Sequence, residues 1–141
     1  MSAAVARRYF VRARTYVRRG DLDEAQREFA AAVELDPGYV EARVGYALAL
    51  LRTDPPRAAQ VLRTGLQRTQ RPRERQDLLC ALGDALTVSG DFLGADDAYA
   101  EAMRLGPTPP RIHDRLARLR AKTGRVREAL DELLAAVKTP R

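Results

Sequence analysis

Small and large apolar residues recur along this chain at a fixed spacing. Gly-Asp pairs stand at Gly20-Asp21 and Gly90-Asp91, and Gly124 follows Gly90 by 34 residues. After each glycine comes a small, a large and another small residue, at offsets of four and three: Ala25, Phe29 and Ala32, then Ala95, Tyr99 and Ala102, then Ala129, Leu133 and Ala136. This period predicts a repeat protein whose units stack into one continuous core.

A second pattern precedes each glycine. It comprises Tyr9, Ala13 and Tyr16 in the first unit, Tyr46, Ala47 and Leu50 in the second, Leu79, Gly83 and Leu86 in the third, and His113, Leu116 and Ala117 in the fourth. Offsets of three and four place each set on one helical face. Each unit is therefore predicted to be a pair of helices, in which small residues let the helices approach and large ones fill the space beside them.

The patterns predict eight helices, near residues 3–19, 22–35, 38–52, 56–69, 74–89, 92–105, 109–122 and 126–138. Asp21 with Glu24 has the spacing of a capping box, and Asp54-Pro55 reads as an N-cap followed by proline in the first turn. In the second unit Asp54-Pro55-Pro56 replaces the turn glycine. We predict an irregular link at 69–74, where the spacing lengthens.

These units resemble the tetratricopeptide repeat family, whose pattern is an aromatic residue, Leu-Gly, Tyr, then Ala, Phe, Ala and Pro. Residues 79–107 match best and residues 9–37 match well, whereas Arg43 and Arg120 replace aromatic positions in the second and fourth units. The resemblance implies an all-α fold, a right-handed superhelical solenoid of antiparallel helix pairs. It also implies one domain over 1–141, with repeats at about 5–38, 39–72, 75–108 and 109–141.

The composition is that of a water-soluble domain, with 45% hydrophobic and 31% charged residues and a net charge of +6. Cys80 is the single cysteine, so no internal disulfide forms, which fits a reducing compartment. No apolar run approaches the roughly 20 residues that span a bilayer. The first 20 residues contain six arginines that interrupt every apolar stretch, so we expect no signal-peptide core there. We expect a bacterial, cytoplasmic protein without membrane insertion.

Catalytic signals are missing from the sequence. The single histidine, His113, occupies the slot of Tyr9 and Leu79 in sister units, which predicts a packing role. Cys80 has no neighbouring base, and no Cys, His or carboxylate set has metal-ligand spacing. The glycines stand at repeat positions rather than in a phosphate loop. We therefore predict no enzyme activity, no cofactor and no metal.

Charge is arranged in blocks. Residues 1–20 are basic, 21–36 acidic, 76–103 acidic and 104–127 basic. One interpretation is that adjacent helices of opposite sign pair along the solenoid. The other is a surface with basic ends and an acidic band.

In the resembled family the first helix of each pair lines a concave groove. The stripe beside the packing residues on those helices is therefore the candidate binding surface for a protein with acidic and apolar side chains. Its alternative role is local packing between helices. The candidates are Arg7, Phe10, Arg14, Val17, Arg18, Val44, Leu48, Leu51, Arg52, Asp84, Arg111 and Arg118.

Some members of the family clamp a C-terminal carboxylate with Lys, Asn and Arg. Phe10, Arg14, Gly45 and Asp77 stand at those positions here. The sequence therefore does not support such a clamp, and we do not expect recognition of heat-shock chaperone tails.

The last predicted helix is apolar on more than one face. Leu130, Leu134 and Val137 form a candidate association face, and a terminal repeat with an apolar side needs cover. Self-association or a partner protein would supply it. Fraying or a fold-back of the tail is the alternative.

Three functions fit these features. The first is an adaptor or scaffold that binds a partner segment in its groove. The second is a small secretion-type chaperone for a dedicated partner. The third, nucleic-acid binding through arginines, is the least expected, because the acids of residues 76–103 interrupt any continuous basic stripe.

Overall fold

The computed structural model describes residues 2–138, which form seven α-helices and no strand. Consecutive helices pack against each other, and α3 also packs against α5. The architecture is a right-handed solenoid of antiparallel helix pairs, which confirms the predicted fold class. The helices are α1 (Ser2–Arg19), α2 (Leu22–Leu35), α3 (Val40–Leu50), α4 (Pro55–Arg68), α5 (Pro72–Ser89), α6 (Phe92–Arg104) and α7 (Pro110–Lys138).

The turns of the first and third pairs are built alike. Gly20 and Gly90 have φ angles of 82° and 83°, a left-handed conformation that glycine adopts without steric cost. The amide of the following aspartate then donates to a carbonyl of the last helical turn, from Asp21 to Tyr16 at 2.9 Å and from Asp91 to Leu86 at 2.9 Å. Both helices thus end in the same glycine-dependent cap.

The fourth unit differs from the prediction. α7 runs without interruption from Pro110 to Lys138, so the break predicted between residues 122 and 126 is wrong and its two helices are one. Thr123 is buried and donates its hydroxyl to the Leu119 carbonyl at 3.0 Å, a helical contact. Gly124 lacks the positive φ of the two turn glycines. The chain therefore does not reverse here.

The core is formed by the predicted small and large residues. A Cβ atom at Gly83 would collide with the ring of Tyr99, which shows how closely α5 and α6 approach. Tyr99, Leu62 and Leu78 are among the most deeply buried side chains. Small residues at helix contacts thus make room for large ones.

Arg43 replaces the aromatic residue in the second unit, and its side chain is buried. Its guanidinium donates to the carbonyl oxygens of Pro37 at 2.9 Å and Val61 at 3.2 Å. A Cβ at Gly65 would come within 2.5 Å of Arg43 Cδ. Desolvation lowers the pKa of Arg43, and nearby Arg68 lowers it further. The arginine therefore joins the loop before α3 to helix α4.

Helix starts agree only in part with the prediction. Asp54 accepts a hydrogen bond from the Arg57 amide at 3.2 Å, as an N-cap does. Asp21 makes no such side-chain bond, and Glu24 instead accepts from Arg27, so the predicted capping box is wrong. The irregular link is shorter than expected, since α5 already begins at Pro72.

The charge blocks meet across helix contacts. Arg12 pairs with Glu28 at 3.2 Å, and Asp96 pairs with Arg120 at 3.2 Å and with Arg127 at 3.7 Å. Asp96 is only 3% exposed. Acidic and basic blocks thus pair between neighbouring helices at these positions.

Candidate functional site

A groove runs across α1, α3, α5 and α7. It consists of three adjoining cavities of about 440, 290 and 260 Å³ that all share Leu48 as a lining residue. Most of its lining residues lie on the first helix of each pair. Leu48 therefore marks the centre of the groove.

The floor of the groove is apolar and open to solvent. Leu48 is 45% exposed, Val17 on α1 is 44% exposed, and Val88 on α5 is 56% exposed. Leu51 and Val44 line the same cavities and are half-buried. Exposed apolar side chains that converge in a concave surface are typical of a binding site.

Cations line the two walls of the groove. Arg14 and Arg18 lie on the α1 wall, and the guanidinium of Arg14 lies 5.6 Å from the ring centroid of Phe10. The wall on α7 carries four cations at helical spacing: Arg111, Arg115, Arg118 and Lys122. An apolar floor between basic walls fits a ligand that is apolar and acidic.

Asp84 lies on α5 and lines the groove. It accepts hydrogen bonds from the hydroxyl of Tyr99 and from Arg115 Nη1, the second at 2.5 Å. Burial, together with the bond to Asp84, raises the pKa of Tyr99 well above its ordinary value. Asp84 thus anchors Arg115 on the wall of the groove.

The cavity of about 260 Å³ has mixed charge. It is lined by Glu41, Asp77, Cys80 and Arg111. Desolvation raises the pKa of Asp77, an effect that Arg73 opposes and Glu41 adds to. Burial likewise raises the pKa of the Cys80 thiol. A thiol held in the protonated form is a poor nucleophile.

Most of the predicted candidates converge on this groove. The cavities bring together Arg14, Val17, Arg18, Val44, Leu48, Leu51, Asp84, Arg111 and Arg118. Arg7 instead lines a separate depression on α1 beside Val5 and Val11, and Arg52 lies in the turn after α3.

The placement of Phe10 corrects the prediction. Phe10 is 7% exposed and belongs to the core, with its ring 6.0 Å from that of Phe29 and 5.1 Å from that of Tyr39. Tyr39 lies at the end of the loop between α2 and α3 and covers it. The residue offers no surface to a partner.

Arg115, Val88 and Lys122 line the groove but were not among the candidates. Arg115 lies four residues after Arg111 and three before Arg118, so helical spacing alone would have indicated it. Val88 lies near the end of α5 and shares a cavity with Leu48 and Leu51. It follows Asp84 by four residues, so helical spacing places both on the same face of α5.

The predicted C-terminal association face lies outside the groove. Leu130, Leu134 and Val137 are 45%, 55% and 84% exposed on the second half of α7. Among residues 2–138 no helix has the length and apolarity to cross a membrane, and no cluster of three or more His, Cys, Asp or Glu side chains could hold a metal ion.

One family model matches part of the chain. The tetratricopeptide repeat model matches residues 10–71, from the middle of α1 to the loop after α4. No curated protein matches the chain significantly.

Solved structures show the same fold over most of the chain. The first tetratricopeptide domain of human RPAP3 has a TM-score of 0.77 at 17% identity, over 88% of this chain and 95% of that one. The first tetratricopeptide domain of Spaghetti (RPAP3), bound to the HSP90 peptide SRMEEVD, gives 0.77 at 16% identity, over 86% of this chain and 95% of that one. MamA from Desulfovibrio magneticus RS-1 gives 0.70 at 16% identity, over 94% and 74%.

Proposed function

We propose that this chain, a tetratricopeptide-repeat protein, is an adaptor that binds a segment of another protein in its concave groove. The observation that carries the proposal is the position of Leu48. This exposed leucine lies where three cavities meet, between cations on α1 and cations on α7.

The groove favours a segment with apolar anchors and acidic side chains. Full burial of a valine or leucine side chain contributes about 1.5–3 kcal/mol, so anchors over Leu48 and Val88 would supply affinity. The arginines on the walls would pair with carboxylates in bidentate geometry and fix the register of the segment. An amphipathic helix or an extended peptide could present this pattern.

Acidic side chains fit this groove better than a terminal carboxylate does. The related RPAP3 domain is bound to a peptide that contains two glutamates and an aspartate. At the positions where a carboxylate clamp would be sought, this chain has the buried Phe10, Arg14, Gly45 and the carboxylate of Asp77. A carboxylate at position 77 would repel the end of a chain.

Several arginines of the basic blocks are already paired. Arg12 bonds to Glu28, and both Arg120 and Arg127 bond to Asp96. Internal pairing of this kind weakens the continuous positive stripe that a nucleic acid would require. Protein binding is therefore the better supported function.

A peptide-display selection tests the proposal. Immobilised wild-type chain should enrich peptides with apolar residues three and four apart and with Asp or Glu beside them. Leu48→Glu and Val88→Glu should each abolish the enrichment, because the new carboxylate repels the ligand and removes an anchor. Leu35→Glu is the matched control, since Leu35 on α2 is 40% exposed and lines none of the three cavities.

Circular dichroism separates loss of binding from loss of fold. All three variants should keep the helical spectrum of the wild type. If folded Leu48→Glu and Val88→Glu still select the same peptides as the wild type, the groove is not the binding surface.

A further inference from the structure

The second half of α7 carries an apolar seam that continues a buried one. Along the first half, Ile112, Leu116, Leu119 and Thr123 alternate at spacings of four and three and pack against the solenoid. The same alternation continues through Val126, Leu130, Leu133 and Val137, which are between 45% and 84% exposed. One helix face is thus covered at one end and open at the other.

The open half of this helix is also acidic on its polar side. Glu128, Asp131 and Glu132 alternate in sequence with the residues of the seam, and helical spacing places them on the opposite side of the helix; the one base of the segment, Arg127, pairs with Asp96. The segment 126–137 therefore presents apolar anchors at helical spacing together with carboxylates. This is the chemistry that the groove was proposed to recognise.

The groove has the complementary composition. Its cavities of about 440 and 290 Å³ are lined by the apolar residues Val17, Leu48 and Val88. They are also lined by five cations: Arg14, Arg18, Arg115, Arg118 and Lys122. Among the described residues that line these two cavities, the one carboxylate is Asp84, whose Oδ1 accepts from Tyr99 and Arg115. Positive walls around an apolar floor would attract the acidic amphipathic segment and orient it.

The segment cannot enter the groove of its own chain while α7 is continuous. The first half of α7 forms one wall of that groove, and residues 126–137 extend it in a straight line. A second copy has no such restriction. Resting on the proposed function of the groove, we propose that residues 126–137 of one copy dock in the groove of another copy.

Contacts of this kind are head-to-tail. Each copy would offer one groove and one segment, so copies would assemble into a ring or an open chain rather than a symmetric pair. A helix of 12 residues is about 18 Å long, which limits the area that each contact buries. Such a small contact fits an affinity in the micromolar range, about 1–100 µM.

Sedimentation velocity of the full chain tests the proposal. The wild type should assemble as its concentration rises from low micromolar to millimolar, and added salt should weaken the assembly because it screens the charges. Leu48→Glu and Val88→Glu in the groove and Leu133→Glu in the segment should each give monomers. Leu35→Glu should assemble like the wild type.

Mixing two variants provides the decisive measurement. Leu48→Glu keeps an intact segment, and Leu133→Glu keeps an intact groove. Together they should form a one-to-one dimer that does not grow further, because only one head-to-tail contact remains. A mixture that stays monomeric overturns the proposal.

Other arrangements give different patterns. If Leu133→Glu converts the assembly to monomers but Leu48→Glu and Val88→Glu do not, the segments of two copies bind each other. The proposal is then wrong. If Val11→Glu converts the assembly to monomers while the groove variants do not, the segment binds the depression on α1 that Val11 and Arg7 line. That result also overturns the proposal. A wild type that remains monomeric at millimolar concentration, yet selects apolar and acidic peptides in the display experiment, refutes self-docking and leaves the proposed function intact.

Discussion

Gly45 on α3 lies directly against the ring of Phe29 on α2, and a Cβ atom at position 45 would come within 2.5 Å of Phe29 Cε1. Phe29 is only 3% exposed and belongs to the core cluster that also holds Phe10 and Ala42. The ring cannot move away without disturbing these neighbours. The contact joins the second helix of one repeat to the first helix of the next.

Gly45→Ala should therefore destabilise the protein. Overpacking of this kind costs about 1–3 kcal/mol, against which alanine gains up to about 1 kcal/mol in helix propensity. We expect a net loss in the free energy of unfolding, measured by urea denaturation. An unchanged or higher stability would show that Phe29 has room to retreat.

Gly124→Ala should have the opposite effect. No atom lies within 4 Å of a Cβ built at position 124, and the residue stands inside α7. Alanine should then stabilise by about 0.5–1 kcal/mol, as it does in a helix interior. If position 124 instead formed a turn like those at Gly20 and Gly90, alanine would be strained there and the variant would melt at a lower temperature.

Arg43→Ala should destabilise the second repeat. The substitution leaves a cavity and removes the donors to the carbonyl oxygens of Pro37 and Val61. We expect a loss of about 2–4 kcal/mol in the free energy of unfolding. Arg63→Ala, at an exposed position of α4, is the control and should change it by no more than about 0.5 kcal/mol. Equal effects of the two variants would argue against a structural role for Arg43.

Tyr99→Phe should weaken the protein in a pH-dependent way. The lost bond to a carboxylate should cost about 1.5–3 kcal/mol at neutral pH. Because the folded pKa of Tyr99 lies above its ordinary value of 10.0, its contribution is complete below pH 10 and declines as the pH rises further. Urea unfolding at a series of pH values should show the two proteins converging above pH 10. A difference that stays constant would contradict the raised pKa.

Cys80 should react slowly with iodoacetamide. The thiol is 8% exposed, and its pKa is raised mainly by burial, so little thiolate is present near neutral pH. The rate should increase as the pH approaches and passes the ordinary value of 9.0. Unfolding in urea should bring it to that of a free cysteine. Equally fast alkylation of the native chain would show that the thiol is accessible and ionised.

The sequence predicted the turns correctly where both the glycine and the residues beside it favoured the end of a helix. The glycines at positions 20 and 90 precede aspartate and end their helices as predicted. Gly124 has the same place in the repeat, but Thr123 and Arg125 on either side are compatible with a helix. A long helix absorbs the cost of one glycine, about 1 kcal/mol relative to alanine. Repeat position alone therefore did not determine the turn.

The groove could be predicted only in part for a similar reason. Helical spacing placed Leu48 on the correct face, since neighbouring residues of one helix determine that face. Phe10 satisfied the same spacing but is covered by Tyr39, which comes from a loop. Contacts between distant segments are not encoded in the period of either helix.

The contact between Asp84 and Arg115 has a consequence for the rate at which a partner leaves. A free surface arginine samples many rotamers and must give them up when it is bound, at about 0.5–1.5 kcal/mol for each immobilised side chain. Arg115 is already held by Asp84 through its Nη1, at a position that lines the groove. Most of that ordering takes place during folding. A complex formed here should therefore live longer than its modest contact area suggests.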